Sequence, residues 1–147
     1  MKNIFRQLGY GWLVFGILLV ACSPGSKAGP EFTESWVRPV PPGMKMTAAF
    51  GVLSNPGRSD IEFVSFASPD FGDVSLHRTE VQDGVSRMLE VPALSIGAGA
   101  EVMLEPGGYH LMLMMPVGEI QPGRTVTIEL ATADGRRFSY QVPVERR

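Results

Sequence analysis

The 147-residue chain contains one cysteine, Cys22, and two histidines, His77 and His110. A single thiol excludes disulfide frameworks, zinc ribbons and thiolate-held clusters. A basic excess is lacking too: 13 Lys and Arg stand against 15 Asp and Glu, and the cations are scattered. Nucleic acid is therefore not an expected partner. Long helices are disfavoured because 17 Gly and 12 Pro make up about a fifth of the chain, a punctuation that suits a β protein with many tight turns. No Ser/His/Asp set, paired catalytic carboxylates or phosphate-cradling glycine loop can be assembled, and Pro106-Gly107-Gly108 reads as a turn. The expectation is a binding protein, not an enzyme.

Long apolar runs are also scarce, and the one that exists is informative. Lys2 and Arg6 precede residues 10–21 (YGWLVFGILLVA), which end at Cys22. About a dozen apolar residues fall short of the roughly 20 needed to span a bilayer, so the segment reads as a cleaved signal peptide. Leu19-Val20-Ala21-Cys22 resembles a bacterial lipobox, which implies cleavage before Cys22, lipidation of its thiol and acylation of the new amino group. Loss of Lys2 and Arg6 leaves 11 Lys and Arg against 15 acids, a net charge of −4. The expected organisation is a leader over 1–21, a lipidated N-terminus and tether over 22–31, and one domain over 32–147. The domain would face the periplasm on a lipid anchor, and Ser23 after the cysteine favours the outer membrane.

The domain reads as β throughout. Runs of β-forming residues alternate with turn signals: Thr47–Leu53, Ile61–Ala67, Val74–Val81, Val85–Val91, Glu101–Leu104, Tyr109–Met115, Thr125–Leu130 and Phe138–Val144. Seven or eight strands at this spacing predict an all-β Greek-key sandwich or small barrel. Within Tyr109–Met115, alternation puts Tyr109, Leu111 and Leu113 on one face and His110, Met112 and Met114 on the other. The first set suits a core. The second gathers an imidazole and two thioethers.

His77 has a methionine partner as well. If Asp83-Gly84 forms a two-residue type I′ loop, Gln82 pairs with Val85, Thr79 with Met88 and His77 with Glu90, so Met88 lies diagonal to His77 on a shared face. Methionine in a β protein is usually core filler, and a lone histidine is usually a surface or hydrogen-bonded residue. A methionine at a useful offset from each of the only two histidines is a different observation. Thioether sulfur with imidazole selects copper, Cu(I) above all, and outside the cytoplasm thioethers avoid the disulfide chemistry open to thiolates. A blue-copper electron carrier needs a Cys ligand, and Cys22 is committed to the anchor.

His77, Met88, His110 and Met112 reproduce the H-x10-M-x21-H-x-M spacing of the periplasmic copper chaperones called PCuAC, which the chain resembles from about Phe32 to Val144. The surroundings are similar too, in Trp36-Val37-Arg38-Pro39, Pro41-Pro42-Gly43, Asp83-Gly84-Val85 and Pro106 to Met114. The resemblance implies a cupredoxin-like β-domain, monomeric, that binds one Cu(I) near its surface through those four residues. It also implies transfer to a copper-accepting protein, usually the copper A centre of cytochrome c oxidase, sometimes through a thioredoxin-like partner. Arg78 stands where relatives often carry an acid, and lipid anchoring departs from the more usual free periplasmic form. A chaperone loaded by collision is expected to hold its ligands at an exposed edge. Met44, Met46 and Met114 are candidate auxiliary metal contacts, and Trp36 reads as a core or rim aromatic. The rival readings are copper buffering by the same ligands and a metal-free structural lipoprotein.

Overall fold

Ten β-strands and no helix form the described part of the chain, residues 29–147 of the computed structural model. The expected leader, Cys22 and most of the expected tether lie outside the described residues. The strands are β1 (Glu31–Val37), β2 (Met46–Ser54), β3 (Ile61–Ala67), β4 (Phe71–Gln82), β5 (Val85–Glu90), β6 (Leu94–Ile96), β7 (Glu101–Leu104), β8 (Tyr109–Pro116), β9 (Thr125–Thr132) and β10 (Arg137–Pro143). They make a six-stranded sheet in the order β1-β2-β7-β8-β4-β5, with β2 also pairing β8, and a four-stranded sheet in the order β10-β9-β3-β6.

Alternation explains why the two sheets stack. Val126, Ile128 and Leu130 of β9 and Phe63 of β3 point from the smaller sheet into a core. Ala49, Leu53, Val74, Leu76, Leu111 and Leu113 meet them from the larger sheet. Each fully buried side chain of this size contributes about 1.5–3 kcal/mol. Val37 and Val144 form a parallel bridge, and the Glu145 N–H donates to the Val37 carbonyl at 3.0 Å, which ties the end of β1 to the chain leaving β10. Asn55, 1% exposed, joins the loops after β2 and β6, because its Nδ2 donates to the carbonyls of Ser59, Ile96 and Gly97 at 2.8–3.1 Å.

The all-β sandwich agrees with the sequence reading, with two added strands and one earlier start. The eight runs expected from sequence are β2–β5 and β7–β10, with β4 beginning at Phe71 instead of Val74. β6 has only three residues, too few to show a period. β1 hides its pattern in a bulge: Glu34 adopts φ 50°, and three steps from Thr33 to Trp36 oppose two from Val52 to Phe50. The extra residue reverses the faces, so Phe32 enters the core while Trp36 packs beside Phe50 on the opposite side.

Tyr140 of β10 is half-buried, and its hydroxyl donates to the Pro30 carbonyl at 2.8 Å. Burial, with a smaller contribution from the Glu31 carboxylate, pushes its phenol up to about 12 from 10.0. The folded state thus retains a proton that the unfolded chain loses, so stability is full below pH 10 and falls as pH rises from 10 towards 12. Chemical denaturation between pH 9 and 11.5 is expected to show a steeper loss for the parent than for Tyr140→Phe. Equal slopes would refute the assignment.

Candidate metal centre

The hairpin between β4 and β5 turns through Asp83 at φ 53° and Gly84 at φ 76°, the two left-handed residues of a type I′ loop. Its register pairs Gln82 with Val85, Thr79 with Met88 and His77 with Glu90, as the sequence predicts. Val74 and Leu76 point into the core, so Ser75, His77 and Thr79 occupy the outer face of the six-stranded sheet, with Met88 diagonal to His77. On the other side of β4, His77 sits directly opposite His110 of β8, and Met112 follows two residues on, opposite Ser75. Three adjacent strands therefore bring His77, Met88, His110 and Met112 onto one face.

The two imidazoles have centroids 6.0 Å apart and planes inclined by 33°. His110 is 5% exposed, and its Nδ1 lies 3.1 Å from the Gly108 carbonyl. A carbonyl only accepts, so in the neutral ring Nδ1 carries the proton and Nε2 the lone pair. His77 Nε2 is 2.9 Å from the Ser75 hydroxyl, whereas its buried Nδ1 has no hydrogen-bond partner. An orphaned ring nitrogen on the sheet face that also carries a second imidazole and two thioethers is the pattern a ligand explains. Among the described residues, no group of three His, Cys, Asp or Glu, the donors that hard cations and zinc favour, comes together.

Beside these donors runs an open groove of about 370 Å³. Met88, His110 and Met112 line it, together with Met44 and Met46 from the start of β2 and the segment before it. Met114 shares the outer face and pairs with Met46 across β2 and β8, but it does not line the groove. His77 also stands outside the groove wall, its ring beside that of His110. The expected exposed edge holds for Met88, which is 51% exposed on edge strand β5, and not for His110. His110 is covered because Phe50 lies beside it, 6.4 Å between centroids, with Trp36 beyond at 4.7 Å from Phe50. Arg38 stacks over Phe50 at 5.3 Å and Arg147 over Trp36 at 5.5 Å. Trp36, expected as a core or rim aromatic, is 9% exposed, packs on Phe50 and does not line the groove.

Sequence reasoning missed Phe50, Ser75 and Gly108 as supports of the two rings. The only signal for Phe50 was its parity with Ala48 in β2, which marks the outer face without saying what lies beside it.

A cupredoxin-like β-sandwich carrying this His and Met face is a PCuAC-type domain, a copper-chaperone fold and not an enzyme's. The family model described as "Putative lipoprotein LpqE-like" matches residues 31–144, and the chain belongs to this LpqE-like family. It is 33% identical over 127 residues to "Putative lipoprotein Lxx21020" of Leifsonia xyli subsp. xyli, spanning 85% of this chain and 75% of that one. The Cu(I) form of DR1885 from Deinococcus radiodurans, solved in solution, shares 30% identity at a TM-score of 0.64, covering 86% of both chains. The copper-bound PCuAC domain from PmoF2 superposes at a TM-score of 0.67 over 83% of this chain and 97% of that one; at 16% identity the likeness is one of fold.

Proposed function

We propose that this protein is a lipid-anchored envelope copper chaperone that holds one Cu(I) with His77, Met88, His110 and Met112 and passes it to copper enzymes, the copper A centre of cytochrome c oxidase foremost. The observation that carries the reading is the cross-strand pair of His77 and His110 with one histidine nitrogen unpartnered. A metal-bound imidazole nitrogen lies about 2 Å from its ion, so two rings sharing one ion have centroids about 5 Å apart at a tetrahedral angle and about 6 Å apart when nearly opposed; the observed 6.0 Å is at the wide end of that span. The relative from Deinococcus radiodurans was solved with Cu(I), and the family is named for lipoproteins.

The geometry supports release by steps. Met88 on the edge strand is open to solvent and is the donor that a partner replaces first. His110 is buried and hydrogen-bonded, and it retains the ion until the acceptor supplies further ligands. Only donor–acceptor bonds are exchanged, so Cu(I) keeps its charge and no electron moves.

Anaerobic titration against a Cu(I) chelator is expected to show one tight equivalent, with Zn(II) bound far more weakly because two of four donors are soft sulfur. Absence of tight Cu(I) binding would sink the proposal and favour a metal-free lipoprotein. Transfer to an acceptor domain separates a chaperone from a copper buffer.

The anchor is tested separately. Cys22→Ala is expected to move the protein from the membrane to the soluble fraction with unchanged Cu(I) affinity, and to reduce oxidase loading under copper limitation. A tether of about ten residues reaches roughly 15–20 Å, which confines the anchored site to membrane-proximal acceptors. A Cys22→Ala variant that still pellets with membranes would disprove lipidation at this residue.

A further inference from the structure

Three half-exposed methionines rim the groove: Met44 at 53%, Met46 at 47% and Met88 at 51% exposed. With Met112 they make four of the chain's eight methionines lining one depression, whose walls carry no carboxylate. Solvent-exposed thioethers gathered at one place are not explained by core packing, since half of each side chain meets water.

The backbone under them is fixed. The Arg38 N–H donates to the Ala48 carbonyl at 3.0 Å, and the Thr47 hydroxyl donates to the Arg38 carbonyl at 2.7 Å. The Met44 N–H closes a turn onto the Pro41 carbonyl at 3.1 Å, and the Lys45 carbonyl accepts from the Met115 N–H at 2.8 Å. These bonds fix the backbone of Met44 and Met46 in the wall of the groove that the β4–β5 hairpin also lines with Thr79 and Met88.

We infer that Met44, Met46 and Met88 form a second, thioether-only position for a soft monovalent ion, Cu(I) or Ag(I), at the mouth of the groove, through which copper reaches and leaves the four-donor site. The inference rests on the proposed copper function for its cargo, and Met88 belongs to both positions. Three neutral sulfurs without carboxylate or imidazole select soft monovalent ions and reject Zn(II), Mg(II) and Ca(II). Passage inward breaks the copper bonds to Met44 and Met46 as bonds to His77, His110 and Met112 form, while Met88 stays attached. The histidines accept the ion through lone pairs, so neither a proton nor an electron is displaced.

The test uses the full chain in detergent micelles, titrated anaerobically with Cu(I) and separately with Ag(I), and followed by methionine methyl NMR. Transfer of bound Cu(I) to a chelator is timed by stopped flow. The parent is expected to take a second, weaker equivalent, held at the mouth by Met44 and Met46 while Met88 serves the first, that shifts the Met44 and Met46 methyl signals. Met44→Leu/Met46→Leu is expected to keep the first equivalent within about threefold in affinity, to lose the second and to slow transfer about tenfold. Met103→Leu, an exposed methionine away from the groove, serves as the control and is expected to change neither. A double variant that keeps both the second equivalent and the parent's transfer rate overturns the inference while leaving the four-donor site standing. Loss of the first equivalent alone, in a chain whose weak equivalent still depends on Met44 and Met46, overturns the four-donor reading and upholds this one.

Discussion

Met88→Leu is expected to weaken Cu(I) binding by about 100-fold or more while leaving thermal stability within about 0.5 kcal/mol of the parent. Leucine nearly conserves the volume of methionine, and Met88 is 51% exposed on an edge strand, so little packing is at stake. Only the thioether is lost. Loss of a residue that merely orients a ligand costs about 10–100-fold in metal affinity, so loss of a proposed ligand belongs at or beyond the top of that range, about 2.7 kcal/mol. Met112→Leu is expected to have a similar effect from a less exposed position, and the two substitutions together to leave only the imidazole pair. Competition with a Cu(I) chelator reads the affinity, and thermal denaturation of the apo protein reads the fold. Parent-like affinity in both single variants would remove the methionines from the site.

Gly51→Ala is expected to cost about 3 kcal/mol, lowering the melting temperature by roughly 10 °C. Gly51 has φ 148°, and a Cβ there would lie 2.8 Å from the Phe32 ring, 2.8 Å from Ser35 Cα and 2.9 Å from the Thr33 carbonyl oxygen. Two of these obstacles are backbone, so no rotamer change relieves them. The residues concerned make the β1 bulge that turns Trp36 to the outer face. Because Trp36 packs on Phe50, and Phe50 lies beside His110, the substitution is also expected to shift tryptophan emission. Gly84→Ala supplies the comparison: its φ is 76° but nothing lies within 4 Å of the added carbon, so only backbone strain of about 1 kcal/mol applies. Equal losses in the two variants would show that positive φ, and not the close approach of β1, governs Gly51.

Legibility in the sequence followed the range of the interactions. The β4–β5 hairpin was readable because Asp83-Gly84 specifies its own turn, and a two-residue loop fixes every cross-strand partner up to His77 and Glu90. The faces of β8 were readable because alternation is a property of the strand alone. β1 was missed because its bulge breaks the period of two, and β6 because three residues carry no period. Met114 was placed on the correct face, but a face does not say which of its residues border a groove.

The sequence by itself determined the β class, the positions of eight strands, the turn that puts Met88 diagonal to His77 and the presence of two imidazoles and two thioethers for the proposed copper site. These follow from local torsion preferences, side-chain period and the softness of sulfur, none of which needs a distant partner. Only the tertiary structure decided that His77 lies opposite His110, because strand pairing between residues 33 apart depends on which strands the whole core brings together. It alone decided that His110 is covered by Phe50, that His77 Nδ1 is left without a partner, and that Met44 and Met46 border the same groove as Met88. Burial, an unfilled hydrogen bond and a shared groove arise from elements that meet only when the two sheets close on a common core, so no local pattern encodes them.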